Sequence, residues 1–348
     1  MTLKTLYEAR DFPIFQNRMY DTRAEALACP RGDIRLVEDL SSGLVRNAAF
    51  DASLMDYDAA YQNEQGNSTA FAAHLRDVAE LVISNMGRES LIEVGCGKGG
   101  FLELLREGGA QVTGFDPTYE GQDPDIQVRY FGPEIGLRAD GLILRHVLEH
   151  IEDPVGFLMQ LAEANGHRGR VYIEVPCFDW ICTNRAWFDI FYEHVNYFRL
   201  SDFHRIFGTL LVGRRSFGGQ YLSVVAELSN LRRPTYDPAD PVPFPADFQV
   251  ALSGDTLRGD DVVWGGASKG LIYSLLRARA GHPVGAVVDI NPAKQGKFLA
   301  AAGLEVQTPE AALSGAGPDT RIVVMNPNYL EEIKEMTNNA YRYAGDTP

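Results

Sequence analysis

The stretch LIEVGCGKGGFLELL, residues 91–105, decides the fold. A short apolar run with one acid, Glu93, leads into Gly95-Cys96-Gly97-Lys98-Gly99, and leucines then return at helical spacing. That order reads as strand, tight turn, helix. Glycines let the backbone turn sharply and approach a ligand, and the free N–H groups at a helix start offer donors to it. About twenty residues later VTGFDP (112–117) ends the next strand with Asp116, placed to accept from ribose hydroxyls.

Working outward, residues 90–228 alternate apolar runs with helical stretches: GLILRHV (141–147), VGFLMQLAEAN (155–165), RVYIEVP (170–176). This alternation predicts an α/β domain with a doubly wound, mostly parallel sheet. Residues 1–80 read as polar and irregular, becoming helical from Ser68, a plausible N-cap. RRPTYDPADPVPFPADF (232–248) carries five prolines and reads as a stiff linker. Beyond it VVWGGASKG (262–270) opens a second, smaller strand–helix series. The expected division is an N-terminal substrate-entry domain (1–80), a central domain (81–232), a linker (233–248) and a C-terminal α/β domain (249–348).

The formal net charge of −15 argues against nucleic acid as a partner, since phosphate backbones need clustered Lys and Arg. No run approaches the length of a membrane span, and the N-terminus lacks a signal-type apolar core. Four scattered cysteines form no CxxC pair and no complete zinc site, which fits a reducing compartment. A soluble cytoplasmic protein is expected, and its oligomeric state is left open. His146 and His150 stand four apart, one face of a helix if they lie on one, but no third ligand accompanies them, so no metal is expected.

Glu93, the GxGxG turn, Asp116 and LILRHVLEHIEDP (142–154) together resemble class I S-adenosylmethionine (SAM) methyltransferases over about residues 88–176. The resemblance implies a Rossmann-like domain in which Glu93, Gly95, Cys96, Gly97, Asp116, Arg145 and His146 hold SAM. It extends more narrowly, over roughly residues 29–334, to the three-domain sugar C-methyltransferases of deoxysugar biosynthesis. YEHVNYF (192–198), GGQYL (218–222), VVWGGASKG and VVDINPAKQGKFL (287–299) carry it.

The family's motif has Tyr where this chain has Phe191 and His where it has Tyr192. Of the family's N-terminal zinc cysteines only Cys29 remains. The resemblance implies a nucleotide-linked keto-sugar as substrate, with His194 as base and Glu193 orienting it or the substrate. Tyr192 or Tyr197 would stabilise an enolate oxygen. In YDAAYQNEQGNS (57–68), Tyr57 and Tyr61 would meet substrate, and Gln65 and Ser68 the cofactor. Gly266, Ser268 and Lys269 of the second glycine turn would hold the nucleotide. O-methylation, an NAD-binding oxidoreductase using that second turn, and a catalytically silent binding module stay open as alternatives.

Overall fold

The computed structural model describes residues 2–55, 68–249, 252 and 259–345. Among the described residues three larger sheets carry it, and a two-stranded one pairs Met19–Tyr20 with Phe298–Leu299. The first is antiparallel: β1 (Leu3–Pro13), β2 (Arg31–Asp39) and β3 (Val45–Asn47) lie side by side. The N-terminal region is therefore not irregular. Its period-2 pattern is broken because register shifts fall between Thr5 and Tyr7 and between Ala9 and Phe12, so the apolar residues of β1 do not alternate cleanly.

The central domain begins with α1 (Thr69–Met86), capped by Ser68, whose hydroxyl accepts from the Phe71 amide at 3.3 Å. There follow β4 (Leu91–Val94), α2 (Gly100–Glu107), β5 (Val112–Phe115), β6 (Ile126–Gln127), β7 (Gly141–Arg145), α3 (Pro154–Ala164) and β8 (Arg170–Pro176). The chain then supplies β9 (Asn196–Tyr197), β10 (Val212–Ser216) and β11 (Tyr221–Glu227). The sheet order is β10-β11-β8-β7-β4-β5-β6, parallel from β8 to β6, with β11 and β10 closing one edge antiparallel. Leu142, Ile143, Leu144, Val171, Ile173 and Val175 are sealed from solvent, as strands covered on both faces must be. β9 does not join this sheet. It pairs with β3, so the segment 187–200 supplies the fourth strand of the N-terminal sheet.

The C-terminal sheet is wholly parallel, in the order β14-β13-β12-β15-β16. It is built from β12 (Val262–Trp264), α4 (Lys269–Arg279), β13 (Ala286–Val288), β14 (Val306–Gln307), β15 (Arg321–Val324), α5 (Leu330–Met336) and β16 (Arg342–Gly345). The proline-rich stretch has neither helix nor strand, yet it is strapped down rather than free. The Val242 amide donates to Glu38 Oε1 at 2.8 Å, Asp240 takes Arg199 and Arg205, and Phe248 is buried against Tyr7. Among the described residues, no helix is long and apolar enough to cross a membrane.

Candidate functional site

The carboxyl ends of β4, β5, β7 and β8 meet at the first glycine turn, where parallel sheets place ligands. Gly97 adopts φ +55°, and a Cβ built there would meet no atom within 4 Å, so the turn presents open backbone. Its N–H donates to Asp116 Oδ2 at 2.8 Å, while Asp116 Oδ1 accepts from the Thr118 amide and hydroxyl. Glu93 is 2% exposed, and its Oε2 has no hydrogen-bond partner among the described residues. Burial, opposed in part by Arg145, pushes its carboxyl up to about 8. A buried orphan acid beside an open glycine cradle and a strand-end acid fits a ligand bearing an ammonium group and a ribose, as SAM does. Cys96 is no nucleophile: burial, with Glu93 and Asp116 nearby, pushes its thiol up to about 12.

Behind the turn lies a buried ionic knot. Glu174, fully buried on β8, accepts from His74 Nε2 at 3.0 Å, the Tyr172 hydroxyl at 2.9 Å and Arg145 at 3.0 Å, and pairs with His146 Nε2 at 3.2 Å. Burial alone would raise its pKa. Arg145 and the hydrogen bonds from His146 and His74 outweigh that and hold the carboxyl well below the usual range. Burial would likewise discharge His146, but Glu149 and Glu174 lift it to about 9. Arg145 also lies over the Phe101 ring at 4.4 Å.

His146 and His150 do not share a helix face. His146 sits at φ +53°, and only a short 3-10 turn, Leu148–His150, follows. His146 therefore turns to Glu174, while His150 turns to the segment 187–200. There His150 Nδ1 donates to the Glu193 carbonyl at 3.0 Å, and its ring meets that of His194 edge-on at 5.0 Å.

That aromatic segment is buried throughout residues 187–199. The Glu193 carboxylate accepts from the Gln16 amide, which ties the segment to the N-terminal domain. His194 is 6% exposed, with Nε2 3.4 Å from the Gln16 side-chain amide. Burial, then the charges of His150, His146 and Lys269, holds it neutral well below its ordinary value.

The two tyrosines are corrected. Tyr197 has its hydroxyl spent on the Phe191 backbone, donating to the carbonyl at 3.0 Å and accepting from the amide at 2.9 Å. Tyr192 accepts from the Asp51 amide at 2.9 Å and packs over Gly32, so its hydroxyl points to the N-terminal sheet. Neither phenol is free to meet an enolate oxygen. Tyr57, Tyr61 and Gln65 lie outside the described residues.

The second glycine turn opens onto a cleft lined by Trp264, Ser268, Lys269, Asp289, Asn291 and Lys294, among others. Asp289 repeats the first turn's geometry: its Oδ2 accepts from the Gly266 amide at 2.9 Å and from Lys294 Nζ at 3.2 Å. Gly266 is thus bound to a carboxylate of its own domain.

Ser268 and Lys269 stand on the wall of that cleft, and each is also bonded to protein. Lys269 has its charge committed to Asp189 at 2.9 Å and to Gln220 at 2.6 Å, over the Trp180 ring. Ser268 donates its hydroxyl to Asn17 Oδ1 at 2.6 Å. Ser68 uses both hydrogen-bonding directions of its hydroxyl, capping α1 and donating to Glu332 Oε2 at 2.9 Å, and it borders this cleft rather than the first turn.

Residues 59–209 match the model of a methyltransferase domain. They are a SAM-dependent methyltransferase domain. The C-methyltransferase NovU of Streptomyces niveus is similar to this chain, 25% identical over 163 residues, which are 42% of this chain and 39% of the relative. The chain thus spans about two-fifths of that relative's length. Among solved structures, magnesium protoporphyrin IX methyltransferase of Synechocystis PCC 6803 with bound S-adenosylhomocysteine is 17% identical at a TM-score of 0.36, covering 48% of this chain and 90% of that one. The 1,6-didemethyltoxoflavin-N1-methyltransferase of Burkholderia thailandensis is 16% identical at 0.34, covering 47% and 79%.

The cofactor of this methyltransferase domain is SAM, and the orphan acid and glycine cradle are what the fold offers it. Sequence reasoning missed Glu174, although an acid inside the apolar run RVYIEVP carries the same signal as Glu93. It also missed Gln16 and Asn17, which carry no local signal, and did not single out Lys294 within VVDINPAKQGKFL.

Proposed function

We propose that this chain transfers a methyl group from SAM to the carbon beside the ketone of a nucleotide-linked sugar, with His194 as the base. The observation that carries the reading is His194 itself, a buried imidazole held neutral. It lies on the segment that follows β8, and so follows the sheet edge where the first glycine turn opens. A neutral imidazole can take the proton as the C–H bond breaks, and its buried setting keeps water from competing. SAM, when bound, supplies an electrophilic methyl group. The C-terminal cleft, with Lys294 and Asn291 on its wall, supports a polar nucleotide as the handle.

The likeness to NovU supports carbon as the acceptor. One observation favours O-methylation as the second reading: both phenols expected to steady an enolate are bound to backbone.

Incubation with methyl-labelled SAM and a panel of nucleotide-linked keto-sugars tests both. NMR of the product is expected to show a new carbon–methyl bond. A methoxy signal would establish the second reading, and no transfer to any member would overturn both. His194→Asn is expected to lower turnover by about 10²- to 10⁴-fold while S-adenosylhomocysteine still binds.

A further inference from the structure

One ring nitrogen of His150, one of His194 and a carboxylate oxygen of Glu149 lie within 4.8 Å of one another. These are the donor types that zinc-class cations take, three from protein with a position left open. Spacing alone would not make a site, and two further observations point to a ligand. Glu149 is 1% exposed, and its Oε2 has no hydrogen-bond partner among the described residues, a cost that a cation would remove. His150 is already set in the ligating tautomer: Nδ1–H donates to the Glu193 carbonyl, which leaves the lone pair on Nε2. A backbone carbonyl behind the non-ligating nitrogen is the usual outer support of a metal-bound histidine. Gln16 adds a second unsatisfied oxygen, since it too is buried, its amide lies beside His194, and its Oε1 has no partner among the described residues.

We infer that Glu149, His150 and His194 form a binding site for a zinc-class divalent cation, and that its occupancy silences the enzyme. The second half rests on the reading of His194 as the base. A lone pair donated to a cation cannot accept a proton, so the same imidazole serves either the metal or the reaction. Lys269, whose charge acts on His194, opposes a dication, so the site is one that fills when zinc is abundant and empties to a chelator.

The test uses the full, tag-free chain treated with chelator. Co²⁺ is titrated while visible absorption is followed, and Zn²⁺ is titrated by calorimetry. One equivalent per chain is expected. Glu149→Gln and His150→Asn are each expected to weaken binding at least ~10-fold, the least that loss of even an outer-shell partner costs. Retained binding of S-adenosylhomocysteine shows that the variants are folded. In turnover assays, saturating Zn²⁺ is expected to suppress methyl transfer, and EDTA to restore it. Absence of stoichiometric binding, or undiminished binding in both folded variants, would overturn the site. Faster turnover with Zn²⁺ would overturn its silencing role and the base assignment together. The cobalt titration needs no acceptor, so failure of every nucleotide-sugar to react would sink the proposed function and leave the metal site standing.

Discussion

Glu93 shows how one buried atom sets a pH dependence. Its carboxyl is raised from an ordinary 4.5 to about 8 by burial. A group whose folded value is raised contributes stability that is complete below the unfolded value and is lost as pH climbs through the folded one. Between about pH 4.5 and 8 the ligand-free protein therefore loses stability on this account, on the order of a few kcal/mol. An ammonium group placed against Oε2 reverses the cost, so S-adenosylhomocysteine is expected to bind more tightly as pH rises toward 8. Glu93→Gln should flatten the fall of the ligand-free Tm across this window. It should also weaken S-adenosylhomocysteine by about 10-fold or more at pH 8, the worth of a hydrogen bond to a charged group. Calorimetric titration at pH 6 and 8 checks it; wild-type affinity in the variant at pH 8 would remove Glu93 from the binding site.

At the scale of elements, the second glycine turn depends on one close approach. A Cβ on Gly270 would stand 1.8 Å from the Gly265 carbonyl oxygen, a contact that no rotamer relieves. Gly270→Ala is expected to lower stability by about 2 kcal/mol or more, with α4 pushed off β12. Gly317→Ala, where a Cβ meets nothing within 4 Å, should leave Tm within the small range of a neutral surface change. Thermal melts of the pair read the difference directly.

The same elements show what was legible. The strands LIEV, GLILR and RVYIEVP are short apolar runs because both faces of a parallel sheet are covered, and that pattern survives in one dimension. β1 was hidden by its bulges. The His146–His150 spacing would share a face only on a helix, and the chain makes a sharp turn there instead. Glu193 and His194 stood out as an acid beside an imidazole. Their partner Gln16 is 177 and 178 residues away, and no local pattern can announce it.

Across the whole molecule, residues 16 and 17 tie the segment 187–200 to the C-terminal domain. The Gln16 amide holds Glu193, its carbonyl accepts from the Ser268 amide at 2.9 Å, and Asn17 Oδ1 accepts the Ser268 hydroxyl at 2.6 Å. A peptide of the N-terminal domain thus lies between the segment carrying His194 and the turn that opens the C-terminal cleft. On the function proposed above, a tilt of the C-terminal domain is expected to pull on the segment carrying His194 and so to link the cleft to the base. A double-mutant cycle tests the joint. Asn17→Ala and Ser268→Ala should each cost about 1 kcal/mol of stability, and the pair clearly less than their sum, because one hydrogen bond is removed in both. If the joint transmits to the site, Ser268→Ala should also lower kcat for the nucleotide-sugar without changing S-adenosylhomocysteine affinity, since Ser268 lies outside the first turn. Strictly additive losses in the cycle would mean that the peptide only lies alongside the turn and couples nothing.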